Sequence, residues 1–270
     1  VALAFVIIHL VSDFSYSTAL KVTIGNKMTT CIKVKEPNIK YVDCDNCSMQ
    51  PICVPLKAGK TEVSIMDSYL SRRNIVNSST PLFHEKESAN AIYAVCAGSF
   101  KLTEITPENK EKVIGFRFPG ELIGEDAIHT QHYNYNAVAV GTTSVCKIDL
   151  KELNECGKLM PELQLNLISL LSKQNSMLRE EFTSVVAKHT AESLLAAFIL
   201  NMLKRNAQYQ ESETKLHLPV GRDVIANHLG FRRETLSRIF SKFQHKGLLT
   251  IHAKDMEILD LDGLKNIAYD

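Results

Sequence analysis

Hydrophobic and polar positions change their period along the chain. Between about 61 and 150 the apolar residues fall in short runs: Asn90–Cys96, Phe100–Ile105, Lys112–Phe118 and Ala137–Ile148. Gly98-Ser99 and Pro119-Gly120 supply turn chemistry between them. Many short strands at this spacing predict a sandwich or jelly roll. From about 161 to 187 the period becomes helical. Leu163, Leu167, Leu170, Leu171, Leu178, Phe182, Val185 and Val186 recur mostly at gaps of three or four, and Pro161 suits a first turn. That stripe is broad for a single neighbour, so it fits either a core helix or a parallel dimer helix. A further helix is predicted over Thr190–Asn206, followed by a polar linker, Gln208–Lys215, a small α-rich unit and a hairpin-like tail around Leu249–Leu261.

The α-rich unit carries the strongest local signal. A first helix is predicted over Arg222–Leu229, with Val224, Ile225 and Leu229 apolar. Gly230 stands where a helix ends in a left-handed turn, which glycine adopts without steric cost. A second helix is predicted from about Arg232 to His245. Its Leu236, Ile239, Phe240 and Phe243 point inward, leaving Arg232, Arg233, Glu234, Ser237 and Arg238 outside. Two short helices around a tight glycine turn predict a helix-turn-helix, whose second helix enters the DNA major groove. Residues 221–246 hold six Arg or Lys side chains, Arg222 and Lys242 among them, against two acidic ones. This local charge of +4 sits in a chain whose net charge is +1. Phosphate contact needs such a patch. Arginine fits guanine edges in a bidentate way and glutamate accepts from cytosine. Such units act in pairs on two half-sites, which favours the dimer reading of the long helix.

The seven cysteines are Cys31, Cys44, Cys47, Cys53, Cys96, Cys146 and Cys156. An odd count in a chain of 270 residues points away from a disulfide scaffold and towards thiolate ligation in a reducing, cytoplasmic setting. Cys44, Cys47 and Cys53 form a C-x2-C-x5-C run, and three close thiolates can converge on one metal with a fourth ligand from elsewhere. Soft thiolates select zinc or an iron–sulfur cluster, and spacing does not decide between them. Cys96 lies in an apolar strand and is expected in the core. Cys156 has no visible ligand partner, and Cys31 is a substitute ligand at most. His129 and His132 lie in a polar loop, where solvation is expected. Val1–Val11 is apolar but too short to cross a bilayer as a helix, and it lacks the basic flank of a secretory signal. No membrane association is expected.

Arg233-Glu234-Thr235-Leu236-Ser237-Arg238, after Leu229-Gly230 and before Gly247-Leu248-Leu249, resembles the CRP/FNR superfamily of transcription regulators. The E-x-x-S-R arrangement is similar to the FNR (fumarate and nitrate reductase regulator) branch, and Arg233 to the cyclic-AMP receptor branch. The resemblance implies that Arg233, Glu234, Ser237 and Arg238 read bases, so the operator is FNR-like, receptor-like or both. It implies an α+β fold: an N-terminal double-stranded β-helix (the cyclic-nucleotide-binding jelly roll), a long dimerisation helix, and a C-terminal winged helix-turn-helix. The expected division is 1–60 for an extension and cluster loop, 61–158 for the β-roll, 159–188 for the dimerisation helix and 189–270 for the DNA-binding domain. Leu163, Leu167, Leu170, Leu171, Leu178 and Phe182 are the expected dimer contacts.

The cysteine run is similar to the N-terminal cluster motif of the FNR branch, whose fourth ligand lies near the end of the β-domain, a context that Cys146 matches. The resemblance thus implies a [4Fe–4S] cluster on Cys44, Cys47, Cys53 and Cys146, with zinc as the alternative cofactor. Phe118-Pro-Gly-Glu-Leu-Ile-Gly124 is similar to a turn of the cyclic-nucleotide fold, and Ser88–Val95 to one of its strands. The stretch from Tyr133 to Val138, however, lacks the arginine that would neutralise a cyclic phosphate, so no cyclic AMP binding is expected. The glycines of the family's neighbouring loop are also missing from 79–86. The expected function is an oxygen-responsive homodimer on an inverted-repeat promoter site, with RNA polymerase as a partner and molecular oxygen as the signal. The rival is a zinc-stabilised or thiol-sensing regulator of the same fold. An iron–sulfur oxidoreductase is disfavoured, because the chain shows no dinucleotide loop, nucleophile elbow or acid/base pair.

Overall fold

The structure, a computed structural model, describes residues 7–9, 20–24, 27–32, 73–151, 153, 161–186, 190–206 and 214–269. Two units are distinguished, residues 1–41 and 42–270. In the first, β1 (Ile7–His9), β2 (Leu20–Ile24) and β3 (Lys27–Ile32) pair as an antiparallel sheet in the order β1-β2-β3.

The second unit begins with a six-stranded antiparallel sheet. Its strands are β4 (Arg73–Val76), β5 (Pro81–Phe83), β6 (Ala91–Ile105), β7 (Glu111–Arg117), β8 (Leu122–Ile123) and β9 (Asn136–Asp149). The order is β4-β9-β6-β7, with β5 on β9 and β8 on β6. A short helix, α1 (Ala127–Thr130), follows β8. Period-two alternation sends Val95, Ala137, Ala139 and Val145 to an inner core with Phe83, Tyr133 and Tyr135. Ile92, Ala94, Cys96 and Ile148 face a second core instead.

One expectation is corrected here. Gly98-Ser99 does not turn the chain; β6 runs through it for 15 residues. The pairing of β6 with β9 shifts between Val95 and Ala97 and again between Ala97 and Ser99. These bulges insert residues that bend the strand and reverse its facing, so Phe100 and Leu102 join Val95 in the inner core. Gly98 has φ +80°, and a Cβ there would lie 2.6 Å from Thr143 Cγ2, so only glycine fits the close strand approach.

The long helix α2 (Pro161–Val186) lays Leu167, Leu170 and Leu171 on the second core, beside β6 and β9. Its Gln174 reaches the turn after β7: Leu122 N–H donates to Gln174 Oε1 at 2.9 Å, and Gln174 Nε2 donates to Glu125. Helix α3 (Ala191–Asn206) starts under a reciprocal cap in which Ser193 N–H donates to Thr190 Oγ1 at 3.0 Å. Strand β10 (Lys215–His217), helices α4 (Arg222–Leu229) and α5 (Arg233–His245), strands β11 (Leu249–His252) and β12 (Asp255–Ile258), and helix α6 (Leu261–Tyr269) complete the chain. The three strands form an antiparallel sheet, β10-β12-β11.

Two further expectations change. Lys215 belongs to a strand rather than the linker, since Leu216 is buried opposite Met256. The tail ends in a helix as well as a hairpin: Gly263 N–H donates to Asp260 Oδ1 at 2.8 Å, and Leu264 and Ala268 bury one face. No helix among the described residues is long and apolar enough to cross a membrane.

Candidate nucleic-acid interface and candidate metal centre

Helix α4 ends at Gly230, whose φ is +74°. Its N–H bonds back to the carbonyls of Ala226 and Asn227, while Phe231 N–H reaches Ala226 O at 2.8 Å. This left-handed cap turns the chain into α5. On α5, Leu236, Ile239, Phe240 and Phe243 are buried in the core of the unit. Arg233, Glu234 and Arg238 are exposed and Ser237 is partly exposed, with Arg232 exposed at the N-cap. The helical repeat sets Glu234, Ser237, Arg238 and Ser241 along one contiguous face. Arg238 Nη2 bonds only loosely to Thr235 Oγ1, at 3.4 Å, so its guanidinium has donors to spare.

The surrounding cations differ in their commitments. Lys242 Nζ pairs with Glu192 Oε1 at 2.5 Å, which ties it to α3. Arg222 lies exposed at the start of α4, its guanidinium 5.4 Å from the Phe240 ring centroid.

The helix-turn-helix is anchored to the β-roll. Asn227 and His228 of α4 hydrogen-bond to the backbone of β7. Burial pushes the His228 imidazole below its ordinary value of 6.5, against the opposing pull of the Val113 carbonyl and Glu181. From α3, Arg205 reaches the turn after β7, where Nη2 and Nε meet the two Glu121 oxygens at 2.6 and 2.9 Å. Arg205 Nη2 also donates to Phe116 O at 2.7 Å. This bidentate pair is buried. Nearby, Arg117 donates to Leu122 O and to Glu125. Burial pulls the Arg117 guanidinium down, but Glu125, Tyr135 and Glu121 outweigh it and hold it above its ordinary value. The sequence reading did not single out Arg205, Arg117 or Gln174, since their roles depend on partners 84, 8 and 52 residues away.

The interior of the roll is filled by rings. Phe83 and Tyr133 stack with centroids 3.6 Å apart, and Tyr135 lies 5.7 Å from Phe83. Tyr133 Oη donates to Ala91 O and Tyr135 Oη accepts from Gly124 N–H. Burial raises the pKa of both phenols, which hold them neutral.

Of the four expected thiolate ligands, Cys146 is placed: it lies in β9, partly exposed, opposite Ala94 of β6 and Arg73 of β4. Cys44, Cys47 and Cys53 lie outside the described residues, as does Cys156. Cys31 lies in β3. Cys96 is buried, and its Sγ is 3.1 Å from Cys146 Sγ. Among the described residues no three His, Cys, Asp or Glu side chains gather as a metal site. His129 and His132 are exposed.

The expected dimer contacts divide. Leu167 is buried on the chain's own sheet, and the partly buried Leu170 and Leu171 pack beside it. Leu178 and Phe182 are 44% and 68% exposed, and so are Leu165 at 65% and Ile168 at 61%, which the sequence reading left out. Leu163 lies in α2. The broad stripe thus divides into two apolar faces, one on the sheet and one exposed.

The Crp-like helix-turn-helix domain family matches residues 195–267, and the cyclic nucleotide-binding domain family matches residues 75–158. The chain is 31% identical to the transcriptional activator protein FnrA of Stutzerimonas stutzeri over 89% of its length and 98% of that protein. It is also 31% identical to the fumarate and nitrate reduction regulatory protein of Escherichia coli, over 84% of this chain and 90% of that one. Among solved structures, FixK2 from Bradyrhizobium japonicum superposes with a TM-score of 0.63 at 20% identity, covering 73% of this chain and 96% of FixK2. A CooA mutant from Carboxydothermus hydrogenoformans gives 0.63 at 19%, covering 80% and 95%.

Proposed function

Since the chain belongs to the CRP/FNR superfamily of transcription regulators, we propose that it is an oxygen-responsive regulator which binds an inverted-repeat promoter site as a homodimer. The protein is a DNA-binding regulator of transcription rather than an enzyme. The observation that carries the DNA reading is the face of α5. Glu234, Ser237 and Arg238 project from a helix fixed in place by the left-handed turn at Gly230. On this reading Arg233, Glu234, Ser237 and Arg238 meet base edges, while Arg222, Arg232 and Lys242 meet phosphates. Leu165, Ile168, Leu178 and Phe182 join Leu163 as the dimer surface, which sets two copies of α5 about 34 Å apart. Surface loops then contact RNA polymerase.

For the signal, the name of the Escherichia coli relative points to the regulation of fumarate and nitrate reduction. Cys44, Cys47, Cys53 and Cys146 would hold a [4Fe–4S] cluster. The donor set fits: four soft thiolates, of which Cys146 is partly exposed on its strand. Such a cluster, when bound, supplies an iron–sulfur centre that oxygen destroys. Cys146 belongs to the sheet that carries Leu167 of α2, so ligation there bears on the seat of the dimer helix. Cyclic AMP plays no part in this reading. Its support is the stacked Phe83 and Tyr133 that fill the roll, and the lack of an arginine between Tyr133 and Val138.

Anaerobic purification with iron and sulfide analysis, then air exposure during sedimentation, tests the proposal. About four irons per chain, lost together with the dimer in air, is the expected result. One zinc per chain and an air-indifferent dimer would overturn the oxygen-sensing part and leave DNA binding intact. Cys47→Ser should remove anaerobic DNA binding while preserving the fold.

A further inference from the structure

We propose that Cys96 and Cys146 close into a cross-strand disulfide, a modification that withdraws the Cys146 thiolate from any metal. Ala94 and Cys146 face each other across β6 and β9, so Cys96, two residues on, shares their side of the sheet. An ordinary diagonal pair has Cα atoms about 7–8 Å apart. A disulfide bridges about 4.4–6.8 Å. A bulge interrupts the ordinary register at this point. Val95 pairs with Val145 and Ala97 with Ser144, which leaves Cys96 as the extra residue of β6. The close approach at Gly98 draws the strands together just beyond it. The two sulfurs stand 3.1 Å apart. A movement of roughly 1 Å closes the bond, whose length is about 2.05 Å.

The surroundings favour one order of events. Cys96 is 3% exposed, whereas Cys146 is partly exposed. Cys146 is therefore the thiol that meets an oxidant, here a low-molecular-weight disulfide. Its thiolate attacks one sulfur of that disulfide, forming a mixed disulfide and releasing one small thiol. The Cys96 thiolate then attacks Cys146 Sγ and expels the second small thiol. Two protein thiols are oxidised, their two protons pass to the departing thiolates, and one small disulfide is reduced to two thiols. Both cysteines lie in the core that seats Leu167, Leu170 and Leu171, so the bond forms directly beneath α2. The disulfide does not depend on a cluster; its competition with one rests on the function proposed above.

Full-length protein, stripped of metal by a chelator, is incubated with glutathione disulfide, alkylated and digested with trypsin without reduction. Cys96 and Cys146 each fall alone in a peptide, residues 87–101 and 118–147. The expected product is these two peptides joined, two hydrogens lighter than their sum. Cys96→Ala protein should instead keep glutathione on residues 118–147. Persistent glutathione on that peptide in the wild type, or its linkage to the peptides of Cys44, Cys47 or Cys53, would overturn the proposal. Iron uptake by the reduced and oxidised forms separates the two readings. A mapped disulfide in a protein that never takes up iron sinks the cluster and leaves the pair. Iron uptake without the 87–101 to 118–147 link does the reverse.

Discussion

Asn227 stands against the edge strand of the β-roll and completes it. Its Oδ1 accepts from Val113 N–H at 2.7 Å, and its Nδ2 donates to Glu111 O at 3.0 Å. Strand β7 ends the path β4-β9-β6-β7, so one side chain from α4 satisfies backbone groups that an adjoining strand would otherwise meet. The same helix opens the helix-turn-helix, so the first element of that motif is fastened to the β-roll sheet. Asn227→Ala should remove both bonds and lower stability by about 1–3 kcal/mol. Urea unfolding of the two proteins measures it, and an unchanged midpoint would show that the edge contact contributes nothing.

His228 follows on the same helix and makes this contact pH-dependent. Its Nδ1 lies 3.2 Å from Val113 O, and its ring packs edge-on to Phe116. Burial holds its folded pKa below 6.5, so between that lower value and 6.5 the unfolded chain carries more protons. The contribution is fully present above about 6.5 and is lost as pH falls through that window. Melting temperature should fall on acidification more steeply in the wild type than in His228→Gln. Parallel slopes for the two proteins would refute the assignment.

Much of this was legible beforehand because local chemistry dictated it. Gly230 fixed a left-handed cap, and Leu236, Ile239, Phe240 and Phe243 fixed the buried face of α5. Neither depends on distant parts of the chain. The errors arose where a partner far away in sequence decides. Gly98 looks like a turn residue until Thr143 is set against it, and the two faces of α2 separate only when Ile92, Ala94 and Ile148 claim one of them. Cys96 was rightly expected in the core, but its sulfur neighbour, 50 residues on, has no signature in the order of residues.

Base-reading and phosphate-binding side chains should behave differently in a salt titration. Arg238→Ala should cost about 1–3 kcal/mol on the specific site and relax preference at one base pair. Arg222→Ala should weaken binding to all sequences and reduce the salt slope by roughly one. Lys242→Ala should change less, because its ammonium is already paired with Glu192. Electrophoretic mobility shifts with specific and scrambled duplexes, at several salt concentrations, separate the three. Equal losses on both duplexes for Arg238→Ala would remove it from the base-reading set.

The two faces of α2 make opposite predictions for neighbouring residues. Ile168 is 61% exposed, so Ile168→Glu puts a charge where the single chain already meets water and should cost the monomer little. In a dimer the same charge lies at the apolar seam without a partner, and association should weaken by several kcal/mol. Leu167 is buried against Ile92, Ala94 and Ile148, so Leu167→Ala leaves a cavity in the chain's own core and should cost about 2–5 kcal/mol of folding stability. Sedimentation and thermal melting of both variants give a two-by-two outcome. A dimer lost in Ile168→Glu with its melting held, and a melting point lost in Leu167→Ala, fit the assignment. An Ile168→Glu protein that stays dimeric would move the seam to another surface.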